Sequence, residues 1–243
     1  MGRMSLLAPL VATDPASPRL TVYDETTGTR MEFSGVTLDN WANKIANMLV
    51  EEFDFAPGDA ATLLVDLPLS WQATVIPIGI HAACLTPTIT TSAANAVGLA
   101  GTGHDRLACP AGTRTIVFTT AEHSEHYVTA GFSDVIAVSD DPFGRGVVES
   151  GGALPTGVVD FGPTVRFYGD QYFGDSPDLR SWLNGNRAGS GERILIPGWS
   201  DRVEFDSQVM APLAAGGSVV LVTGMASTER IAQIIEAEKV QRS

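Results

Sequence analysis

A strand, an apolar helix and a second strand follow one another between residues 61 and 89, and this run restricts the fold more than any other. Residues 61–65, Ala-Thr-Leu-Leu-Val, read as a buried strand; residues 69–84 read as a largely apolar helix kinked near Pro77; residues 85–89 read as a second short strand. That is the rhythm of a βαβ unit, whose two strands lie parallel because the helix carries the chain back. Residues 116–119 and 135–139 add two further β-rich runs, separated by a polar helical or turn segment over 122–129. The chain is thus expected to be α/β, with layered, mostly parallel sheets flanked by helices.

The flanking segments extend this pattern. Leu38, Trp41, Ala42, Ile45, Met48, Leu49 and Phe53 recur at helical spacing after Thr37, which predicts an amphipathic helix over 37–53 with Thr37 as its N-cap; Pro57-Gly58-Asp59 then turns the chain. The tail reads strand 193–197, helix 205–215, a Gly216-Gly217 turn, strand 218–223 and helix 227–239 capped by Ser227 or Thr228. Between residues 140 and 191 glycine and proline recur, at Pro142, Gly144, Gly146, Gly151, Gly152, Pro155, Gly157, Gly162 and Pro163, predicting loops and an edge strand. The 243 residues are expected to form a single domain, with any lobe boundary inside 140–191.

Composition excludes several classes. With 44% hydrophobic and 18% charged residues, there is enough apolar material for a sizeable core and too much for disorder. Lysine and arginine number 15 against 28 aspartates and glutamates, a net charge of −13, so nucleic acid and anionic membrane surfaces would be repelled. The longest apolar stretch, 73–85, contains Pro77 and His81 and is too short to span a membrane. The start, Met1 to Ala12, resembles a signal peptide only until Pro9 breaks its brief apolar run, and reads instead as a helix packed on the fold. Cys84 and Cys109 form no CxxC pair and fit reduced residues of a cytoplasmic protein rather than a disulfide.

The motifs that carry common chemistries are incomplete. No G-x-x-x-x-G-K-[ST] phosphate loop occurs. Gly101-Thr-Gly103-His-Asp-Arg106 begins like a dinucleotide fingerprint but puts Arg106 where close packing demands a glycine. The run from Asn184 to Gly191, with Arg187, has the composition to cradle an anion but reads as a surface loop. Glu122-His123-Ser-Glu125-His126 matches no zinc signature, and Gly198-Trp-Ser200-Asp-Arg202 fails the serine-hydrolase elbow at its last position. No cofactor and no metal is expected. His81, inside an apolar helix, reads as a core or pocket residue rather than a base.

Three stretches carry a resemblance. Arg30-Met-Glu-Phe-Ser-Gly-Val-Thr-Leu-Asp-Asn-Trp-Ala-Asn-Lys-Ile-Ala-Asn-Met-Leu is similar to the opening strand pair and helix of the adenylate-forming, AMP-binding superfamily, which includes the acyl-CoA synthetases. Pro57-Gly-Asp through Leu67-Pro68, then residues 71–87, resemble the glycine-aspartate, leucine-proline and apolar helix that follow there, with Cys84 where a glycine is usual. Glu192-Arg-Ile-Leu-Ile-Pro-Gly-Trp199, continued through Met210-Ala-Pro-Leu-Ala-Ala-Gly-Gly217, is similar to that family's strand, pocket turn and helix. Together they cover most of the chain and resemble the N-terminal half of such synthetases, as in a short family lacking the catalytic motifs.

The resemblance implies a fold more than an activity. The Ser/Thr/Gly-rich loop ending in lysine that holds ATP phosphates in the superfamily should lie between Val165 and Arg193, and the residues there supply no such loop. The adenine-binding stretch and the mobile C-terminal domain with its catalytic lysine are not matched either. These readings lean away from an enzyme and toward a truncated pseudo-enzyme that binds a small carboxylate, acyl or nucleotide-like ligand. By position, Pro197, Gly198, Trp199 and Phe205 would line the pocket; the alternative is that Trp199 and Phe205 merely fill the core. The other readings are an interaction protein or homodimer using the exposed surface of the truncated fold, one half of a split adenylating enzyme, and an unfamiliar enzyme built on His81, His104, His123 or His126.

Overall fold

A computed structural model describes residues 5–90, 114–183 and 191–241. Gly101–Arg106, His104 among them, Cys109 and Arg187 lie outside the described residues. After a short helix α1 (Ala8–Thr13), a hairpin of β1 (Pro18–Asp24) and β2 (Thr29–Ser34) leads into α2 (Gly35–Glu51). Strand β3 (Ala61–Asp66), α3 (Trp71–Ala82) and β4 (Pro87–Thr90) form the βαβ unit; β5 (Arg114–Thr120), α4 (Ala121–Thr129) and β6 (Asp134–Val138) follow. A short β7 (Val158–Asp160) and α5 (Phe161–Phe167) precede β8 (Arg193–Ile196), helix α6 over 202–214, β9 (Ser218–Thr223) and α7 (Thr228–Ala237). Among the described residues no helix is long and apolar enough to cross a membrane.

Among the described residues nine strands fall into two sheets. The five-stranded sheet has the order β4-β3-β5-β6-β7 and is parallel throughout, while the four-stranded sheet, β2-β1-β9-β8, is parallel except for the β1–β2 hairpin. The two-residue period of a strand sorts the side chains. Leu63, Val65, Ile116, Phe118, Ile136 and Val138 enter the main core shared with α2, α3 and the second sheet. Their neighbours Leu64, Val117 and Val135 turn the other way onto Tyr127 of α4. In the second sheet Leu20, Val22, Val219 and Leu221 face the main core, and Tyr23 and Val220 pack on Ile234 of α7.

All twelve residues of α3 are buried, as a helix with apolar residues all round requires. It continues through Pro77. Its crossing with α2 is close at Gly79, where an added Cβ would lie 2.5 Å from the Ile45 side chain and 3.2 Å from the Ala42 carbonyl oxygen.

Three local expectations are corrected. Helix α2 begins at Gly35 with Ser34, not Thr37, as its N-cap: Ser34 is extended and its hydroxyl accepts from Thr37 N–H. Within 140–191 the edge strand β7 is joined by helix α5 despite Gly162 and Pro163. Pro163 sits in the first turn, where no intrahelical N–H bond is lost, and Gly162 leaves room for Gly146 N, which would stand 2.6 Å from a Cβ. Helix α6 starts earlier than expected, capped by Asp201 accepting from Glu204 N–H, and winds as a π-helix over Asp206–Met210.

One carboxylate ties the ends of the second sheet together. Glu238, just beyond α7, accepts from Tyr23 Oη at 2.5 Å, from Arg30 Nε at 2.9 Å and from the Arg193 guanidinium. Burial alone would raise its pKa, but hydrogen bonds from Arg30, Tyr23 and Arg193 outweigh that and hold it at about 2. Because the folded value lies below the unfolded one, this stabilisation is present above about pH 4.5 and is lost as pH falls toward 2. Two outcomes follow. Glu238→Gln lowers the unfolding free energy at pH 7 by about 1–3 kcal/mol and flattens the acid limb of a urea-midpoint-versus-pH curve. Gly79→Ala, forcing a methyl between α2 and α3, costs about 1–3 kcal/mol by the same urea measurement.

Candidate functional site

Parallel strands deliver their carboxyl ends to one side of a sheet, and open α/β folds place ligands there, at the point where the connections reverse direction. In the five-stranded sheet the chain moves from β3 outward to β4 and then from β5 outward to β6 and β7, so the reversal lies between β3 and β5. A cavity of about 560 Å³ opens beyond these strand ends. One side is formed by Leu67 to Gln72 after β3, Thr120 at the end of β5 and Val138, Ser139, Asp140 and Pro142 after β6. The other side comes from the second sheet: Val22, Asp24, Thr26, Thr27, Thr29 and Met31 from the hairpin, Val222 to Gly224 from the end of β9, and Pro197 after β8.

Local hydrogen bonds fix these walls. Ser70 caps α3, its hydroxyl accepting from Ala73 N–H at 3.1 Å. Gln72 Nε2 donates to the Ser139 and Asp141 carbonyl oxygens at 3.1 and 3.0 Å, binding the start of α3 to the loop after β6. Asp141 stiffens that loop, accepting from Phe143 N–H at 2.9 Å and from the Arg145 guanidinium, which holds its carboxyl below the ordinary range. Asp24 closes the hairpin turn, accepting from Thr26 N–H at 2.9 Å and the Thr27 hydroxyl at 2.8 Å. Burial would raise its pKa, but these bonds outweigh burial and keep it ionised.

The lining is apolar with a polar, acidic fringe. Val22, Met31, Leu67, Leu69, Trp71, Val138 and Val222 supply the body; Asp24 and Asp140 supply carboxylates; no Lys, Arg or His is among the described lining residues. The Trp71 indole N–H and the Thr120 hydroxyl are buried without a hydrogen-bond partner among the described residues, an uncommon state for buried polar atoms.

Of the four residues expected from sequence at the pocket turn, Pro197 lines this cavity. Gly198 adopts φ +101°, and a Cβ there would strike Leu69 at 2.3 Å, so the turn seats directly on another wall residue. Trp199 and Phe205 meet edge to face at 5.1 Å in the main core and are not among the cavity's lining residues. His81 pairs with Asp206 at 3.2 Å against the Trp182 ring, away from the cavity. Among the described residues no group of three or more His, Cys, Asp and Glu side chains is placed to hold a metal ion, including around His123 and His126. The hairpin turn and the segment 67–72 were not expected to line the cavity; the signal available was Asp24-Glu-Thr-Thr-Gly28, the composition of an Asx turn.

The architecture defines an acyl-CoA synthetase-like fold. An acyl-CoA synthetase from Brucella canis superposes with a TM-score of 0.70 at 15% identity, over 98% of this chain and 46% of that one. Acetoacetyl-CoA synthetase from Streptomyces lividans gives 0.68 at 14% identity, over 98% of this chain and 41% of its own. The chain therefore spans somewhat less than half the length of these synthetases and, as the resemblance implied, matches one half of the fold. No family model matches the chain. It is 31% identical over 254 residues to the TIGR03089 family protein of Mycobacterium tuberculosis (strain ATCC 25618 / H37Rv), covering 98% of this chain and 96% of that protein. The chain belongs to the TIGR03089 family.

Removing the Gln72 amide tests how the wall is held. Gln72→Leu leaves two buried carbonyl groups unpaired, lowers stability by about 1–3 kcal/mol and accelerates amide hydrogen exchange at Phe143 and Arg145 relative to β5.

Proposed function

We propose that the protein is a non-catalytic binding protein built on the acyl-CoA synthetase fold, which holds a small acyl-type ligand in the cavity beyond the strand ends. The observation carrying this reading is the cavity itself: about 560 Å³ at the reversal point of a parallel sheet, with apolar walls and a few hydroxyls. Of the three ligand classes that the resemblance implied, the lining supports the acyl class. A phosphate or free carboxylate needs compensating positive charge, and the described lining carries Asp24 and Asp140 instead. The same consideration supports the non-catalytic part, because activating ATP requires neutralisation of the triphosphate. In this proposal Gly198, Trp199 and Phe205 set the position of Pro197 in the wall. A cytoplasmic setting with Cys84 as a free thiol belongs to the same reading.

A second reading rests on exposed apolar side chains. Phe143, Phe167 and Met225 are 77%, 86% and 98% exposed, which favours a surface covered by a second copy, by another protein or by the other half of a split enzyme. Analytical ultracentrifugation reads the homodimer directly, as twice the monomer mass.

The thermal midpoint of the purified protein, with and without ligands, decides between them. Acyl amides or esters that fill the cavity at about a hundredfold their Kd raise the midpoint by roughly 5–10 °C, whereas ATP–Mg²⁺, AMP and CoA leave it unchanged. A shift with AMP or ATP overturns the non-catalytic reading. A flat response to every compound overturns the ligand-binding reading in favour of the partner.

A further inference from the structure

Strand β8 ends the four-stranded sheet, with β9 on its inner side. In a parallel ladder each residue turns its N–H and C=O to the same side, and successive residues alternate. Ser218 N–H donates to the Glu192 carbonyl oxygen at 2.9 Å, and Arg193 stands opposite Ser218. Ile194 and Ile196 therefore turn their backbone groups to β9, while Arg193 and Leu195 turn theirs outward. From that outer side Gln241 N–H, beyond α7, donates to the Arg193 carbonyl oxygen at 2.9 Å. The Arg193 N–H and both backbone groups of Leu195 have no partner among the described residues. An open edge of this kind is a template for another strand.

We propose that the occupant is β8 of a second copy, laid antiparallel about a two-fold axis at Leu195, so that two copies join their four-stranded sheets into one. In that register Leu195 faces the partner's Leu195 and exchanges two backbone hydrogen bonds with it, and Arg193 N–H meets the partner's Pro197 carbonyl oxygen, once from each copy. The position that remains identifies the occupant. Pro197 has no N–H to return, and the carbonyl oxygen it would have served, that of Arg193, is the one Gln241 already fills. Every outward backbone group of Arg193 and Leu195 is then paired, whereas a strand with an ordinary residue in place of Pro197 would bring an N–H to an oxygen already engaged. The side chains fit the same register. Ile194, packed on the main core, meets the partner's Ile196, and Leu195, packed on the Ile234 cluster, meets its own equivalent. The Arg193 guanidinium stays out of the contact, because it is turned back onto Thr21, Ser218 and Glu238 of its own chain. This edge belongs to the other sheet from the elements that carry Phe143 and Phe167, and the pairing does not depend on the ligand reading.

The test combines sedimentation of the full chain over a concentration series with residue-resolved amide hydrogen exchange. A species of twice the monomer mass grows in with concentration, and exchange at the Arg193 and Leu195 amides slows by about tenfold or more over the same range, while Val117 in the other sheet is unaffected. Leu195→Pro deletes the outward N–H without touching the ladder to β9, and Leu195→Lys sets two like charges face to face on the axis. Each weakens the dimer by about tenfold or more, and Phe167→Ser leaves it unchanged. A monomer at every concentration overturns the proposal, as does Leu195 exchange that ignores concentration. A dimer that Phe167→Ser dissolves and the Leu195 variants leave intact overturns it too, in favour of the exposed phenylalanines. Should neither Leu195 variant fold, the exchange of the native chain decides alone.

Discussion

The structure depends on burying one helix completely. Helix α3 presents apolar residues in every direction, and a helix of that kind is stable only when other elements enclose it. Strands β3 and β4 of its own unit, helix α2 across Gly79 and the second sheet supply that enclosure. The approach at Gly79 sets how near α2 can lie to α3. That spacing fixes where the hairpin before α2 sits, and so brings the Asp24–Thr29 turn opposite the ends of β3, β5 and β6. The cavity is a consequence of this packing: two sheets share a core, and their strand ends meet without closing.

The electrostatics of the cavity run against what its fold would suggest. The sequence resemblance raised carboxylate and nucleotide-like ligands as expectations, both anionic, yet the described lining carries negative charge of its own. An acidic chain is already repulsive to polyanions at long range; Asp24, held ionised by its turn, extends that repulsion into the site. In the proposed reading the charge of this lining, rather than the fold, selects the ligand.

Much of the architecture was legible in the sequence because it rests on periodicity. Strand β9 at 218–223 and the unit over 61–90 follow from apolar runs of the right length between turn residues. Helix boundaries were less legible: Ser34 and Thr37 are both competent caps, and only the extended backbone at Ser34 decides between them. Helix α5 was hidden by Gly162, which the close approach of Gly146 requires, and by Pro163, which the first turn tolerates. Of the cavity's lining, sequence singled out Pro197 but not the hairpin or the 67–72 segment, because their convergence depends on strands distant in the chain. Trp199 and Phe205 show the remaining ambiguity: an aromatic beside a pocket turn looks the same in sequence whether it faces the cavity or supports the residue that does.

The position of β1 shapes how such a chain acquires its structure. This early strand lies between β2 and β9, and Arg19 bonds to the Gly216 carbonyl oxygen across 197 positions. The five-stranded sheet, by contrast, is assembled from neighbours in sequence. Loop-closure entropy penalises distant pairings, so local units are favoured to form first. During synthesis the edge of β1 that pairs with β9 must therefore wait until residues 218–223 have emerged. Until then that edge presents unpaired backbone groups to which another strand could add.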